Sequence, residues 1–321
     1  MNNKLFVNKY QPLYFKDFEI NSSLITTLET FIKIDNLNIL FVGNIGSGKT
    51  SFLNAIIREY YKNYNPVEYE NNILYINSLK EQGIHYYRND VKTFCQTSSV
   101  IKNKKKIVVL DDIDLINEQS QQVFRNCIDK YSHNVHFVSS CTNIQKVIES
   151  LQSRLIITKI QILQKDNLLR IINNISAVEE LNISEEAREF IFNISNNNAK
   201  IIINYLEKFK LVNQDITLEL ANKICTDINF SLFRDYILLL QNKNLNFAIH
   251  SLYDIYNKGY SVMDILDNFF LFTKTTDIIS EADKYNIIPI ICKYITVFHN
   301  IHEDEIELAL FTNNIYNIFH K

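Results

Sequence analysis

Glycine, proline and tryptophan are nearly missing from this 321-residue chain, which has 5 Gly, 3 Pro and no Trp. Such scarcity excludes collagen-like and low-complexity, turn-rich architectures, and it means that glycine is kept where only glycine will do. The five cysteines (Cys95, Cys127, Cys141, Cys225 and Cys292) are odd in number, scattered and never in C-x-x-C. That excludes a disulfide framework and a cysteine-based zinc site, and it fits a reducing compartment. No apolar run approaches the ~20 residues of a membrane span, and Met1-Asn2-Asn3-Lys4 has no signal-peptide core, so the chain reads as intracellular, with no membrane partner. A net charge of −3 excludes a uniformly basic nucleic-acid coat but leaves room for a local basic face. Hydrophobic residues at 46% and charged residues at 21% describe a globular chain long enough for two or three domains with a substantial core. Heavy use of Asn, Ile, Lys and Tyr has the look of AT-rich coding, as in some microbial and viral genomes.

Three of the five glycines fall within Gly43-Asn44-Ile45-Gly46-Ser47-Gly48-Lys49-Thr50. An apolar run, Ile39 to Val42, precedes this stretch and an amphipathic one, Ser51 to Tyr60, follows it. Strand, glycine loop and helix with the spacing G-x-x-x-x-G-K-S/T form the P-loop signature. Glycines let backbone N–H groups turn inward around phosphate oxygens, and the helix start adds its positive dipole end. Lys49 is expected to reach the β- and γ-phosphates and Thr50 to place its hydroxyl on Mg²⁺, with Ser51 completing the run. The expected ligand is a nucleoside triphosphate.

Ahead of this loop, Phe6-Val7-Asn8-Lys9-Tyr10-Gln11-Pro12 is expected to be extended because of Pro12. Val7 and Tyr10 would then close over a nucleotide base; the alternative is an arm packed on the domain. A helix is predicted over Ser22 to Ile34, and a second strand over Ile73 to Asn77. A turn at Gly83 then runs into a helix carrying Arg88 and Lys92 four apart on one face, a pattern that by itself suits a solvated surface. Lys102, Lys104, Lys105 and Lys106 read as a solvated loop. They lead into Ile107-Val108-Val109-Leu110-Asp111-Asp112, a buried parallel strand with acids at its carboxyl end, which is where open α/β sheets bind ligands. Asp111 there would hold Mg²⁺ through its water shell and Asp112 would orient the attacking water. A further strand runs from Val135 to Ser140 and ends in Cys141-Thr142-Asn143, small polar groups placed to meet a γ-phosphate or a water. Ser153-Arg154 precede a last strand, Leu155 to Ile160. Strands alternating with helices over about 160 residues predict a doubly wound α/β domain.

Beyond residue 160 the strand pattern stops. Helical periodicity covers residues 164 to 226, with a polar turn at Ser195-Asn196-Asn197-Asn198, and another helical block covers 227 to 321, with breaks expected at Gly259 and Pro289. The pairs His133/His136 and His299/His302 lack further ligands, so structural metal is not expected at either.

In order and spacing these residues resemble a known family, the AAA+ clamp loaders, in particular the small subunits of replication factor C. Val7 to Pro12 is similar to V-E-K-Y-R-P, with Gln11 in place of Arg. Gly83 to Phe94 resembles G-I-D-x-V-R-x-x-I-K-x-F. Gln121 to Ser132 resembles Q-N-A-L-R-R-x-M-E-x-Y-S. Phe137 to Cys141 and Gln152-Ser153-Arg154 look like the sensor-1 strand and the S-R-C motif, and Gly259 to Leu266 like a collar motif. The resemblance implies a P-loop AAA+ ATPase domain with a parallel sheet and helices on both faces (1–162), a small helical lid (163–226) and an all-helical collar (227–321). It implies ATP-driven loading of a sliding clamp onto primer–template DNA by a hetero-pentameric ring of loader subunits. Arg154 would be an arginine finger acting in trans on a neighbour's nucleotide, Thr142 would be sensor 1, and Arg88 and Lys92 would hold DNA phosphates. Thr97 to Ile101 would touch the clamp, with Val100 and Ile101 as apolar anchors.

Three departures from the family matter. Asp112 stands where the family has Glu, one methylene shorter, which draws the carboxylate back and slows water activation. Lys200 replaces the sensor-2 Arg, keeping the charge but losing the bidentate fork. Leu155 replaces the Cys of S-R-C, a neutral change. Rival readings are a loader subunit that holds ATP mainly as structural glue, or another AAA+ machine such as an origin-recognition ATPase or a branch-migration helicase. The expected setting is intracellular, nuclear or a cytoplasmic viral replication site; the composition would suit a large DNA virus.

Overall fold

A computed structural model of the chain describes residues 4–19, 22–77, 84–195, 197–225, 228–298 and 302–320, side chains of 22, 77, 84 and 85 excepted. Gly83, Asn196 and His299 lie outside the described residues. The chain packs as two compact units, Met1–Val178 with Asn197–Glu207, and Glu179–Asn196 with Lys208–Lys321.

In the first unit the elements alternate: α1 (Ser22–Lys33), β1 (Ile39–Val42), α2 (Lys49–Tyr60), β2 (Ile73–Asn77), α3 (Ile84–Gln96), β3 (Lys106–Asp111), α4 (Glu118–Tyr131), β4 (Val135–Cys141), β5 (Ile156–Lys159) and α5 (Lys165–Glu179). The five strands pair in the order β2-β3-β4-β1-β5, and every pairing is parallel. Parallel strands need crossovers, and the helices supply them on both faces. Alternate strand residues accordingly enter different cores. Phe41, Val109 and Val138 pack with Phe52, Ile56 and Tyr60 of α2, whereas Leu40, Val108 and Phe137 pack with Val91 of α3 and Phe124 of α4. The continuous apolar runs of β1 and β3 follow from burial on both sides.

Several expectations change here. The segment before Pro12 is not extended: Phe6–Lys9 forms one helical turn, because a proline restricts only the residue immediately before it, Gln11. The lysine run is not a solvated loop. Lys106 is buried, with its ammonium donating to Phe94 O and Thr97 Oγ1. Lys104 donates to Tyr60 O and lies 4.0 Å from that ring's centre, while Lys105 pairs with Asp35 at 3.2 Å. Ile101 is buried in the core on the α2 face, which leaves Val100, 68% exposed, as the apolar residue on that surface.

The second unit is helical: α6 (Glu185–Ile194), the end of α7 (Ala199–Val212), α8 (Leu218–Cys225), α9 (Phe230–Gln241), α10 (Leu245–Tyr256), α11 (Val262–Thr275), α12 (Glu281–Phe298) and α13 (Ile306–Phe319). Its core is an aromatic cluster in which Phe269 makes edge contacts with Phe233, Tyr236 and Phe311. Gly259 adopts φ +100 in the turn before the Ser261 capping box of α11, as a helix break requires. Pro289 does not break the fold: it sits inside α12 on its exposed face, where solvent satisfies the carbonyl that loses its amide partner.

His136 is fully buried. It accepts from Leu37 N at its Nδ1 and donates through Nε2 to Asp35 at 3.1 Å, a neutral structural imidazole rather than a ligand. Among the described residues no group of three or more His, Cys, Asp or Glu could hold a metal ion, and no helix is long and apolar enough to cross a membrane.

Candidate nucleotide site

At the carboxyl ends of β1, β3 and β4 the predicted phosphate-binding loop meets the predicted acids. Gly43 N bonds to Cys141 O at 3.3 Å and Ser47 N to Asn44 O at 3.2 Å, which folds the loop over the sheet end. Gly46 and Gly48 take φ of +76 and +91, left-handed values that side chains strain to adopt. Lys49 is buried at the start of α2, and its Nζ donates to the carbonyls of Gly43 and Asn44 at 3.0 and 3.1 Å. Both acceptors belong to the loop itself, so the ammonium can turn to a stronger, anionic acceptor without losing a structural partner. Ser47 Oγ is buried and has no hydrogen-bond partner, an orphan inside the cradle. Ile45 is 77% exposed at the loop tip, so only its backbone can serve the site.

Thr50 Oγ1 donates to Asp111 Oδ2 at 2.8 Å, and Ser140 Oγ donates to Asp111 Oδ1. The same Ser140 hydroxyl accepts from the Asp112 amide at 3.0 Å. Asp112 is left-handed (φ 52, ψ 55) and starts the short turn Ile113–Leu115, a conformation that Asp tolerates better than longer acids. Burial, then the charge of Asp111, raises the Asp112 carboxyl above the ordinary aspartate value, and Lys49 opposes that rise. Higher proton affinity suits a group that takes a proton from water. Asp114 Oδ2 accepts from Thr142 N at 3.2 Å and Asn143 N at 2.9 Å, pinning the turn that displays Thr142.

Sequence reasoning missed several of these supports. Ser140 and Asp114 act across strands, and only the vague signal of polar residues at strand ends pointed to them. Asn198 is another: its carboxamide oxygen accepts from Lys200 N and Ile201 N, capping α7. The same carboxamide lies so close to Gly46 that a Cβ there would meet it at 2.0 Å. The stretch that carries Lys200 thus touches the phosphate loop, while Lys200 itself is exposed. Val7 and Tyr10 are half-buried in the N-terminal turn, with Tyr10 edge-on to Phe6 at 5.5 Å; the arm reaches α2 through Gln11 Nε2, 3.3 Å from Ser51 Oγ.

Arg88 and Lys92 are both exposed on α3. Arg154, after the short helix Glu149–Gln152, donates from Nε to Asp129 Oδ1 of α4 at 2.5 Å. That hydrogen bond holds the Asp129 carboxyl below its ordinary value.

Residues 39–162 match the model of the ATPase family associated with various cellular activities (AAA). Over 290 residues, 90% of this chain and 90% of the other, the sequence is 28% identical to the replication factor C small subunit of Methanococcus maripaludis. Residues 39–162 thus carry an AAA-type ATPase domain, within a chain that is similar along most of its length to replication factor C small subunits. Among solved structures, the RuvB Holliday junction branch migration motor of Thermotoga maritima superposes with a TM-score of 0.54 at 15% identity, over 76% of this chain and 85% of that one. A DNA polymerase III gamma subunit-related protein of the same organism superposes with a TM-score of 0.52 at 13% identity, over 91% and 98%. At those identities the likeness shows the fold. An AAA ATPase domain binds nucleotide with a divalent metal, and the Gly46–Gly48 cradle, the orphaned Ser47 hydroxyl and the Thr50–Asp111 pair fit such a group.

Proposed function

We propose that this chain is a small subunit of a clamp loader: an ATPase that, in a five-membered ring with other loader subunits, opens a sliding clamp and places it on primer–template DNA. The observation that carries this reading is the reach of the similarity. It extends over 90% of the chain, through helices well beyond the AAA domain at 39–162, and the relative it matches is a replication factor C small subunit. The RuvB branch-migration motor shares the fold over 76% of this chain but at 15% identity, so the continuous sequence similarity is what favours the clamp-loader reading.

In this reading Lys49 leaves the Gly43 and Asn44 carbonyls for the β- and γ-phosphates of ATP, while loop N–H groups from Gly43 to Ser51 line the phosphates. Thr50 and Asp111 would hold Mg²⁺, which would supply charge neutralisation at the phosphate oxygens. Asp112 orients and deprotonates the water, and Thr142 and Lys200 reach the γ-phosphate. Val7 and Tyr10 cover the base. Arg154 serves the nucleotide of the next subunit, and Arg88 with Lys92 tracks DNA phosphates without regard to sequence. The chain works inside the cell where DNA is replicated, in a nucleus or at a cytoplasmic viral replication site. A second reading, a subunit that holds nucleotide and hydrolyses slowly, is favoured by the short reach of Asp112 and by Lys200 in place of arginine.

Retention of labelled clamp on primed circular DNA, compared with linearised DNA, tests the proposal. A loader containing this chain should leave clamp on circles only, in an ATP-dependent manner, and Lys49→Ala in this chain should abolish nucleotide binding at its site and cut loading. ATP-independent retention, or nucleotide affinity that survives Lys49→Ala, would overturn it.

A further inference from the structure

Arg154 is not free on the surface. Its Nε donates to Asp129 Oδ1 at 2.5 Å, and its Nη1 donates to Ser150 O and, at 3.3 Å, to Ser153 Oγ. Asp129 in turn is braced from its own helix: Arg125, one turn earlier on α4, approaches Oδ2 at 3.5 Å. One carboxylate therefore sits between two guanidinium groups, and its proton affinity is lowered first by Arg154 and then further by Arg125. All three groups are partly exposed, so the arrangement contributes little to stability. Its consequence is geometric. A guanidinium has five N–H donors in a rigid fork; with the Nε and Nη1 positions tied down within the subunit, Nη2 is the end left for an outside acceptor.

We propose that Asp129 is a positioning residue for Arg154: it fixes the guanidinium so that the Nη2 end is presented to an oxyanion on a neighbouring subunit, the terminal phosphate of bound nucleotide. This rests on the clamp-loader reading of Arg154 given above. An unanchored arginine of this length spreads over many rotamers and must be ordered during the reaction, so the effect belongs to the turnover rate and not to nucleotide affinity at this chain's own loop. A carboxylate also partly offsets the arginine's charge. The geometry favours ordering as the larger effect, because Nε, rather than the outward end of the fork, carries the pair.

The test is a double-mutant cycle in the assembled loader, with clamp and primed DNA, comparing wild type, Asp129→Asn, Asp129→Glu, Arg154→Ala and Asp129→Asn/Arg154→Ala. Asp129→Asn should lower kcat on the order of tenfold with KM for ATP unchanged, Asp129→Glu should recover part of the loss, and Asp129→Asn should do nothing further once Arg154 is alanine. In the isolated chain, Asp129→Asn should raise the rate at which an arginine-selective dicarbonyl modifies Arg154, read by mass spectrometry, several-fold over wild type, while nucleotide affinity stays the same. Equal losses from Asp129→Asn in both backgrounds would mean a structural role and overturn the inference. So would an unchanged kcat in Asp129→Asn alongside a crippled Arg154→Ala. If Arg154→Ala itself hydrolyses at the wild-type rate, the trans-finger reading has failed first.

Discussion

Thr50 Oγ1 and Asp111 Oδ2 are 2.8 Å apart, so the first turn of α2 and the carboxyl end of β3 are joined directly across the sheet end. A hydroxyl beside a carboxylate is a donor set that would suit a divalent ion, which would supply charge neutralisation at the nucleotide phosphates. Asp111 is otherwise held by Ser140, so its carboxylate stays in place when the Thr50 contact opens. Removing its charge should uncouple nucleotide from metal. We expect Asp111→Asn to bind ATP with nearly the same affinity in Mg²⁺ and in EDTA, whereas wild type binds more tightly with Mg²⁺. Equilibrium titration with a fluorescent ATP analogue under both conditions decides it, and a preserved Mg²⁺ advantage in the variant would remove Asp111 from the metal site.

Arg88 and Lys92 lie one turn apart and exposed on α3. If both meet DNA phosphates, each contributes about 1 to the slope of log affinity against log salt. The double substitution Arg88→Ala/Lys92→Ala in the loader should weaken primed-DNA binding for every sequence tried and flatten that slope by about 2. Anisotropy titrations at four salt concentrations measure it; an unchanged slope takes this face out of the DNA path.

His136 gives the first unit a pH dependence of definite sign. Burial pushes its imidazole down to about 4 from 6.5, against the pull of Asp35. Between those values the unfolded chain binds the proton that the folded chain refuses, so stability is full above pH 6.5 and falls as pH drops toward 4. The loss should reach about 2 kcal/mol at pH 5. Burial acts to raise the Asp35 carboxyl, but hydrogen bonds from Tyr60 and His136 outweigh it and leave it lowered, so its own loss comes at more acid pH. Urea midpoints at pH 7.5 and pH 5 should differ markedly for wild type and less for His136→Gln. Equal pH sensitivity in the two would show that His136 is not the group responsible.

What could be read in advance was whatever is written locally. The phosphate loop announces itself by three glycines in eight residues, and the strands of the first unit by apolar runs with an acid at the end of β3. The helices beyond residue 160 follow from their 3.6-residue period. Contacts between distant segments were not legible. Lys104, Lys105 and Lys106 looked like a charged loop because nothing in a lysine run tells that Tyr60, Asp35 and Phe94 wait for it across the fold. Ile101 looked like an exposed anchor and is core. Pro289 read as a break because a proline's cost depends on which helix face it occupies, and that face is set by packing. In the site, Lys49, Thr50, Asp111 and Asp112 converge as their motifs require, whereas Ser140, which holds Asp111 and the Asp112 amide, Asp114, which pins Thr142, and Asn198, beside Gly46, meet the site only through tertiary structure.

Asp112 bears most of the argument about activity. It is a shorter acid than the family's Glu, in a left-handed turn, with its proton affinity raised by burial and by Asp111. The decisive measurement is steady-state ATP hydrolysis by the assembled loader, with clamp and primer–template DNA, for wild type and for Asp112→Asn in this subunit alone. The share of turnover belonging to this site should fall on the order of a hundredfold, with nucleotide binding intact. Hydrolysis at the wild-type rate in Asp112→Asn would contradict this and leave a subunit that holds nucleotide and lends Arg154 to its neighbour without turning over ATP of its own.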